Sequence, residues 1–332
     1  MKNTKKSPNF FPIQKIRIGS KKKITGDALF RLFITLVMCN IFIILSLMIY
    51  KIIDGSRLSI ETYGLGFLWG TKWQPFPPIP NIQPSFGALP LIWGTFVTSA
   101  IALLLGVPIS LGIGLALSEF APKHFNYVVS FFVELLAAIP SVIYGLWGIF
   151  ILIPYLQQNV YPIIQKAFGF LPIFQGPIYG PSVLTGGIIL AIMIVPTVSA
   201  ISRDIFSAVP NSQREAIIAL GATRWETAKI VMSYGRSGVI GAIILGLGRA
   251  VGETMAVTMV IGNSFNMFSS LFEPGYTLSS IIANEFTEAS SPPVYISALI
   301  EVGLVLFVLA LVVNVLARLI IWRSTKIERG AI

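Results

Sequence analysis

The sequence is poor in the residues on which most enzyme chemistry depends. It contains one cysteine, Cys39, and one histidine, His124. One cysteine excludes a disulfide within the chain, and one histidine argues against a histidine metal site or proton relay. The glycine-rich phosphate loop G-x-x-x-x-G-K-[ST] is also missing, so no motif predicts nucleotide hydrolysis by this chain. We therefore predict a protein that is not an enzyme and that binds no cofactor of its own.

Charged residues are scarce, and the two signs are unequal. They make up 11% of the 332 residues, against 55% hydrophobic residues and a mean hydropathy of +0.80. A soluble domain carries about 25% charged residues, so this composition predicts a protein that is largely surrounded by lipid. The 24 Lys and Arg outnumber the 14 Asp and Glu, which gives a net charge of +10. In a membrane protein such an excess belongs to the cytoplasmic side, and we expect membrane lipid but no nucleic acid as a partner.

Six apolar segments are long enough to cross a bilayer, which takes about 20 residues each. The predicted outer loops hold only Arg57, Lys72 and Lys166 as basic residues, with Lys51 at an outer helix end. The positive-inside rule therefore predicts an all-α integral membrane protein of six transmembrane helices with cytoplasmic N and C termini. The predicted spans lie at about 29–50, 89–118, 127–155, 182–202, 237–262 and 294–322.

The chain divides into a basic cytoplasmic leader, 1–26, and a transmembrane domain, 27–332. We expect the leader to lie on anionic headgroups, and the first apolar run to be retained as a helix because no cleavage site follows it. A polar cytoplasmic loop, 203–236, interrupts the transmembrane domain. The first outer loop is rich in tryptophan and proline, which is typical of an ordered loop with aromatic residues at headgroup level. The second outer loop begins with apolar residues at helical spacing, which predicts a short amphipathic helix on the outer surface.

The fifth apolar segment carries two opposite charges, Arg249 and Glu253. An unpaired charge at the bilayer centre costs at least ~2.5–3.5 kcal/mol on insertion scales, so both side chains should face the bundle interior or a wet cavity. Residues four apart share one face of a helix, and one interpretation is a structural pair that neutralises itself and fixes the helix rotation. The other interpretation is a substrate site that includes the adjacent Thr254, because the guanidinium fork suits an oxyanion.

Such a site would distinguish phosphate from sulfate. A carboxylate such as that of Glu253 accepts a hydrogen bond only from an oxyanion that still carries a proton. Hydrogen phosphate carries one near neutral pH and sulfate does not, so sulfate would meet uncompensated repulsion. Two further acidic residues in apolar segments, Glu134 and Glu301, are interpreted as groups that reach the membrane interface.

Gly248 and Gly252 form a G-x-x-x-G pattern in the same segment. Small residues at this spacing allow two helices to approach closely. The pattern predicts a packing face, either within the bundle or against a partner across a translocation path.

The cytoplasmic loop contains the sequence EAIIALG at 215–221. It resembles the "EAA" loop of ABC importer permeases, in which a short helix docks on the ATPase subunit and transmits its closure. Two places depart from that pattern: isoleucine stands at 217 instead of alanine, and Met-Ser stands at 232–233 instead of Leu-Pro. The resemblance implies coupling to an ATPase through Glu215, Ala216, Gly221 and Arg224.

Longer stretches resemble the PstC family of phosphate ABC importer permeases. By this resemblance, Arg249 and Glu253 correspond to the family's intramembrane charged pair implicated in phosphate translocation. The fold implied is the type I ABC importer permease fold in the cell inner (plasma) membrane. The matching stretches are FGALPLIWGT (86–95), ELLAAIPSVIYGLWG (134–148), AIMIVPT (191–197), EAIIALGATRWET (215–227), GLGRAVGETMAVTMVIGN (246–263) and IIANEFTEA (281–289).

The same resemblance implies the partners of such a permease. They are a second permease subunit of PstA type, a dimer of PstB-type ATPase subunits that bind ATP and Mg²⁺, and an extracytoplasmic phosphate-binding protein of PstS type. Other interpretations stay open at this point. The chain could be a permease for phosphonate, sulfate or molybdate, or an ion-coupled carrier, although the EAA-like loop argues against a carrier. A role in signalling phosphate sufficiency could coexist with transport.

Overall fold

A computed structural model of the chain describes residues 24–77, 84–289 and 292–329. The predicted basic leader, 1–26, lies almost wholly outside the described residues. The chain divides into two units, Met1–Lys51 and Ile52–Ile332. In the first unit, the described residues are the beginning of one long helix. Its large apolar side chains are exposed, as expected of a helix surrounded by lipid.

Within the described ranges the regular secondary structure is helical, with two isolated β-bridges, Gln74 with Ser85 and Gly262 with Gly275. Turns of π-helix, Gly148–Leu152 and Leu156–Val160, join three of the helices into one run, and another, Ala116–Phe120, prolongs α3. The helices are α1 (Ile24–Tyr63), α2 (Gly66–Trp69), α3 (Leu89–Leu115), α4 (Lys123–Ala137), α5 (Ser141–Trp147), α6 (Ile153–Tyr155), α7 (Tyr161–Phe168), α8 (Val183–Ser207), α9 (Asn211–Ala219), α10 (Arg224–Tyr234), α11 (Arg236–Gly252), α12 (Met255–Val260), α13 (Leu278–Glu285) and α14 (Pro293–Arg329).

Five helical runs of the described residues are long and apolar enough to cross a membrane. A sixth results if α10 and α11, which are bent by 70°, count as one span. The predicted all-helical membrane fold is therefore confirmed, while the count of six spans and the orientation of the termini stay predictions.

The third apolar segment is not the single helix 127–155 that its composition suggested. Helix α4 ends at Ala137, the backbone is extended at Pro140 (φ −57°, ψ 138°), and a new helical run goes from Ser141 to Phe168. Proline disfavours the helical conformation of the residue before it and removes a backbone donor, which explains a break at this point. The new run includes α7, so the helix predicted after the third span exists but continues that span.

The fifth apolar segment, expected as one helix over 237–262, is also broken. Helix α11 ends at Gly252, the backbone of Glu253 is extended, and α12 begins at Met255. After α12 the chain turns through Gly262 (φ +92°) and Asn263 (φ +51°). Both lie in the left-handed region, which glycine adopts freely and asparagine adopts more readily than most residues.

The centre of the second unit is the contact between α3 and α8. Glycines allow it: a Cβ at Gly106 would lie 2.7 Å from Ile194 Cγ1, and a Cβ at Gly187 would lie 2.5 Å from Ile101 Cγ2. The side chains that fill the interior along α8 are fully or almost fully buried. They include Ile189, Leu190, Met193, Ile194 and Val198.

A second buried cluster connects the first outer loop to α13 and α14. Trp73 lies 4.9 Å from the Phe86 ring and stacks on Phe265 at 6.1 Å. Trp73 is only 6% exposed because it packs among these rings, while the depth of the loop's aromatic residues in the membrane stays a prediction. Burial raises the pKa of Tyr276, in the same cluster, to about 12, so its neutral hydroxyl donates to Glu285.

Glu301 was expected to reach the membrane interface, and this expectation is wrong. It is 6% exposed, and its Oε2 has no hydrogen-bond partner among the described residues. The reason is close packing between α14 and the last turns of α1. There the Ser59 amide donates to Ser297 Oγ (3.0 Å), and that hydroxyl donates to the Gly55 carbonyl (2.8 Å).

Candidate translocation site

The predicted translocation residues lie at a break between two helices. Glu253 follows the last residue of α11 and has an extended backbone (φ −70°, ψ 126°), and Thr254 precedes α12. The break lies about 24 Å along α11 from Arg236, since a helix rises 1.5 Å per residue. With α11 as part of the fifth predicted span, this distance would place the break within a hydrocarbon layer of about 30 Å.

Side chains provide hydrogen-bond partners for backbone groups that lose their helical partners at the break. The Thr254 hydroxyl donates to the Gly252 carbonyl (3.2 Å), and the Ala256 amide donates to Glu253 Oε1 (3.4 Å). From α13, the Ser279 hydroxyl donates to the Glu253 carbonyl (2.7 Å). Backbone polar groups at membrane depth need such partners unless they line a wet cavity. The break is therefore a hydrogen-bonded, ordered part of the fold.

Arg249 lies on the last turn of α11 and is half-buried. Its Nη1 donates to Thr197 Oγ1 on α8 at 3.1 Å. The guanidinium has five N–H donors, and this is its one hydrogen bond to any residue that the structure describes. Most of its donors therefore remain available to a ligand.

Arg249 and Glu253 do not form the pair that their spacing suggested. The two side chains make no ion pair with each other in the described structure. The expectation of a shared helix face is wrong because α11 ends at Gly252, so Glu253 no longer follows the helical rotation. The interpretation as a structural pair that neutralises itself is therefore wrong. The role of Arg249, Glu253 and Thr254 in translocation stays a prediction.

Helix α11 presents two different glycine faces. Gly238 and Gly246 face α8, where a Cβ at Gly246 would lie 2.6 Å from Val198 Cγ2. A Cβ at Gly248 or Gly252 would meet no other atom of the described residues within 4 Å, and the same holds for Gly241. Close packing within the bundle thus involves other glycines than the predicted pair.

The cytoplasmic loop folds as a helical hairpin of α9 and α10. Gly221 makes the turn with φ +86°. Thr223 then begins α10 with a capping box, in which its hydroxyl accepts from the Glu226 amide (3.3 Å) while Glu226 accepts from the Thr223 amide (2.7 Å). The positive φ of Gly221 and the capping box of α10 are both features that the local sequence encodes.

The residues predicted to contact an ATPase are all exposed on this hairpin: Glu215, Ala216, Gly221 and Arg224. Apolar side chains lie exposed beside them, with Ile218 55%, Leu220 89% and Trp225 55% accessible. Exposed apolar side chains grouped in a polar loop are typical of a protein-binding surface. The coupling role of these residues stays a prediction.

Two residues that the sequence did not single out form an ion pair next to this hairpin. Arg214 on α9 binds both carboxylate oxygens of Glu119, with Nη2 to Oε1 at 2.8 Å and Nε to Oε2 at 3.1 Å. Glu119 lies in the π-helical turn that ends α3. No local pattern reveals this contact, since the two residues are 95 positions apart.

A polar cavity of about 490 Å³ lies between α4 and the last turns of α8. Arg203 crosses it and donates to Glu134 Oε1 (3.0 Å) and Asp204 Oδ1 (2.7 Å). Two carboxylates therefore already bind this guanidinium. Glu134 remains 60% exposed, and its position at the membrane interface stays a prediction.

Residues 106–325 match the family "Binding-protein-dependent transport system inner membrane component". The chain is 45% identical over 87% of its length to the phosphate transport system permease protein PstC of Pasteurella multocida, 89% of which is covered. It is 42% identical to PstC of Haemophilus influenzae over 91% of this chain and 94% of the relative. The chain belongs to the PstC family of transport permeases. Its resemblance to that family is confirmed, and so is its place in the inner membrane.

Solved structures of ABC transporters share the PstC-family fold seen in this chain. One is a bacterial ABC transporter involved in the import of the acidic polysaccharide alginate, with a TM-score of 0.54 and 16% identity over 90% of this chain and 99% of that one. Another is the inward-facing MetNI methionine ABC transporter, with a TM-score of 0.52 and 16% identity over 70% and 94%. At such low identity the likeness concerns the fold alone, and it confirms the predicted ABC importer permease architecture.

Proposed function

We propose that this chain is the transmembrane permease subunit of an ATP-driven phosphate importer. Relatives that share 42–45% of its sequence are phosphate transport system permeases, which favours phosphate over phosphonate, sulfate or molybdate. The observation that carries the proposal is the helix break at Glu253, with Arg249 half-buried one turn before it and most of its N–H donors unused.

Phosphate binds at the break through both charged residues. The Arg249 guanidinium donates to two phosphate oxygens in its fork geometry. The Glu253 carboxylate accepts a hydrogen bond from the protonated phosphate oxygen, and the Thr254 hydroxyl lies next to it in the chain. Because Glu253 is not bound to Arg249, each can face a different side of one anion. Sulfate offers no proton to Glu253 and is rejected.

A second permease subunit, of PstA type, forms the other half of the path. The open face of α11, with Gly241, Gly248 and Gly252, is where it packs. No described residue lies within 4 Å of the Cβ positions on this face, and small residues suit close helix contact in a membrane. The translocation path then runs along this contact, beside Arg249.

Energy comes from partner subunits. A PstB-type ATPase dimer, which holds ATP and Mg²⁺, docks on the exposed surface of α9 and α10, where Ile218, Leu220 and Trp225 offer apolar contacts. A PstS-type protein delivers phosphate on the opposite side. The role of this chain is to bind and pass the anion, without chemistry of its own.

The proposal is tested by uptake of radiolabelled phosphate into vesicles that contain the purified complex. ATP should be required inside the compartment that corresponds to the cytoplasm, and excess sulfate should not compete. A protonophore should leave the uptake intact. Uptake that sulfate blocks would indicate another oxyanion, and uptake that continues without ATP but collapses with the protonophore would indicate an ion-coupled carrier.

A further inference from the structure

We propose that Arg214 is a positioning residue for energy coupling: with Glu119 it fixes α9 to the inner ends of α3 and α8, so that movement of α9 displaces both helices. This inference rests on the proposed function, in which α9 and α10 receive the ATPase. It identifies the contact through which that motion passes. We call this contact, of Arg214 with Glu119 and with the C-terminal end of α8, the joint.

The hydrogen bonds of Arg214 are complete. Two donors bind Glu119 at 2.8 and 3.1 Å, one binds the Phe206 carbonyl at 2.7 Å, one binds the Val209 carbonyl, and one reaches Asn211 Oδ1 at 3.4 Å. A guanidinium has five N–H donors in a planar arrangement. All five donors are therefore used, on acceptors of Glu119, Phe206, Val209 and Asn211.

The joint is sheltered from water. The side chains of Arg214 and Glu119 are 16% and 8% exposed, and Ser118 Oγ donates a further hydrogen bond to Glu119 Oε1 at 2.6 Å. Phe206 and Val209 present carbonyls at the C-terminal end of α8, where a positive charge is favoured. Breaking such a pair would leave a charge buried without its partner, so the contact moves as one body.

Neighbouring residues on α9 face different ways. Arg214 points to the ends of α3 and α8, while Glu215 and Ala216, next in sequence, are exposed on the surface proposed for the ATPase. A push on the exposed side is therefore carried by a short, rigid helix to the opposite side. The buried cluster of Phe206, Val209 and Val231 holds α10 against the same helix ends.

Helix α8 extends the joint to the candidate translocation site. Phe206, which Arg214 binds, lies nine residues after Thr197, or about 14 Å along the helix. Thr197 accepts the hydrogen bond from Arg249. Helix α3 is packed closely on α8, since a Cβ at Gly114 would lie 3.1 Å from Ser202 Cβ. A displacement of α9 thus reaches the residue proposed to bind phosphate through one continuous helix.

The test measures the number of phosphate ions imported per ATP hydrolysed by the full complex in vesicles. Arg214→Lys keeps the charge but offers three donors from one atom, which cannot hold both the carboxylate and the end of α8. We expect this ratio to fall about tenfold, while ATPase subunits still co-purify and still hydrolyse ATP. Glu119→Gln should lower the ratio in the same way, and the double variant should be no worse than either single variant.

Arg57→Lys is the matched control. Arg57 pairs with Glu61 at 2.7 Å, but the two side chains are 76% and 61% exposed. An exposed pair of this kind contributes little, and the coupling ratio should stay within about twofold of the wild type.

A wild-type ratio in both Arg214→Lys and Glu119→Gln would overturn the proposal. Failure of both variants to assemble would overturn it as well, because the pair would then be a folding contact. A wild-type complex that imports no phosphate would instead refute the proposed function. The coupling ratio would then be measured with the anion that the complex does carry.

Discussion

Arg214 and Arg249 are both largely withdrawn from water, and both lie near the end of a helix, but their hydrogen bonds differ. Arg214 uses every donor on protein acceptors, whereas Arg249 uses one, on Thr197. A saturated guanidinium can only hold its neighbours in place. An unsaturated one at membrane depth is costly unless something else completes its shell. The difference supports the two proposed roles, with Arg214 in energy coupling and Arg249 in substrate binding.

The largest effect on phosphate uptake is expected from a substitution of Arg249. Arg249→Lys keeps the positive charge but loses the planar fork, so we expect phosphate uptake to fall at least about a hundredfold, as when a donor to a developing oxyanion is removed. Assembly and thermal stability of the complex should not change. Thr197→Val is the control, because it removes the one protein partner of Arg249 and should lower uptake far less. Similar losses in both variants would mean that Arg249 acts through Thr197 and not on the anion.

The next effect concerns which anion is accepted. In Glu253→Gln the amide can donate to an unprotonated oxyanion, so sulfate should begin to compete with phosphate. We expect phosphate uptake to fall about tenfold, in line with the loss of one hydrogen bond that matches the substrate. Competition assays with sulfate measure this change. Unaltered selectivity in an active Glu253→Gln complex would contradict the proposed role of the carboxylate.

The two glycine faces of α11 offer a smaller and more local test. In Gly246→Ala the new methyl group would lie 2.6 Å from Val198, so the chain itself should lose about 1–3 kcal/mol of stability. The methyl group of Gly248→Ala would meet no described residue within 4 Å, so the stability of the chain should be unchanged or slightly improved, while binding of the second permease subunit should weaken.

Thermal unfolding of the chain and co-purification of the second subunit measure the two effects separately. Gly112→Ala, on a similarly open position of α3, is the control for both. If Gly248→Ala binds the second subunit as well as the Gly112→Ala control does, the open face is not the subunit contact.

The smallest effect is expected at Glu301, a buried carboxyl that the transport site does not use. Its Oε2 and the neighbouring Ser59 Oγ are both buried and make no hydrogen bond of ordinary geometry in the described structure. Glu301→Gln keeps the shape and offers an amide donor to Ser59, so stability should change by about 1 kcal/mol, the contribution of one hydrogen bond. Thermal unfolding measures this, with uptake as a second readout. A large loss of uptake would show that a proton at Glu301 takes part in transport.

Local sequence patterns predicted the parts of this molecule that depend on near neighbours. Arg249 and Glu253 stood out because charge is rare in an apolar run, and the turn at Gly221 after α9 agrees with the preference of glycine for a positive φ. The helix break at Glu253 could not be predicted in this way. It depends on Ser279, 26 residues later, and on the packing of α12 against its neighbours.

The prolines also show that local sequence patterns do not suffice to predict where a helix breaks. The break before Ser141 has a local cause in Pro140, yet Pro108 and Pro196 lie inside the uninterrupted helices α3 and α8. Tertiary packing decides which of these prolines ends a helix. The contact of Arg214 with Glu119 had no local signal at all, because it joins residues 95 positions apart.

The central claim is that phosphate binds between Arg249 and Glu253 at the break between α11 and α12. A structure of the assembled complex, trapped by a hydrolysis-deficient ATPase in the presence of phosphate, tests it most directly. The account predicts phosphate density about 3 Å from the Arg249 guanidinium and from the Glu253 carboxylate. Phosphate bound elsewhere along the path, with Arg249 saturated by residues of the second subunit, would contradict it.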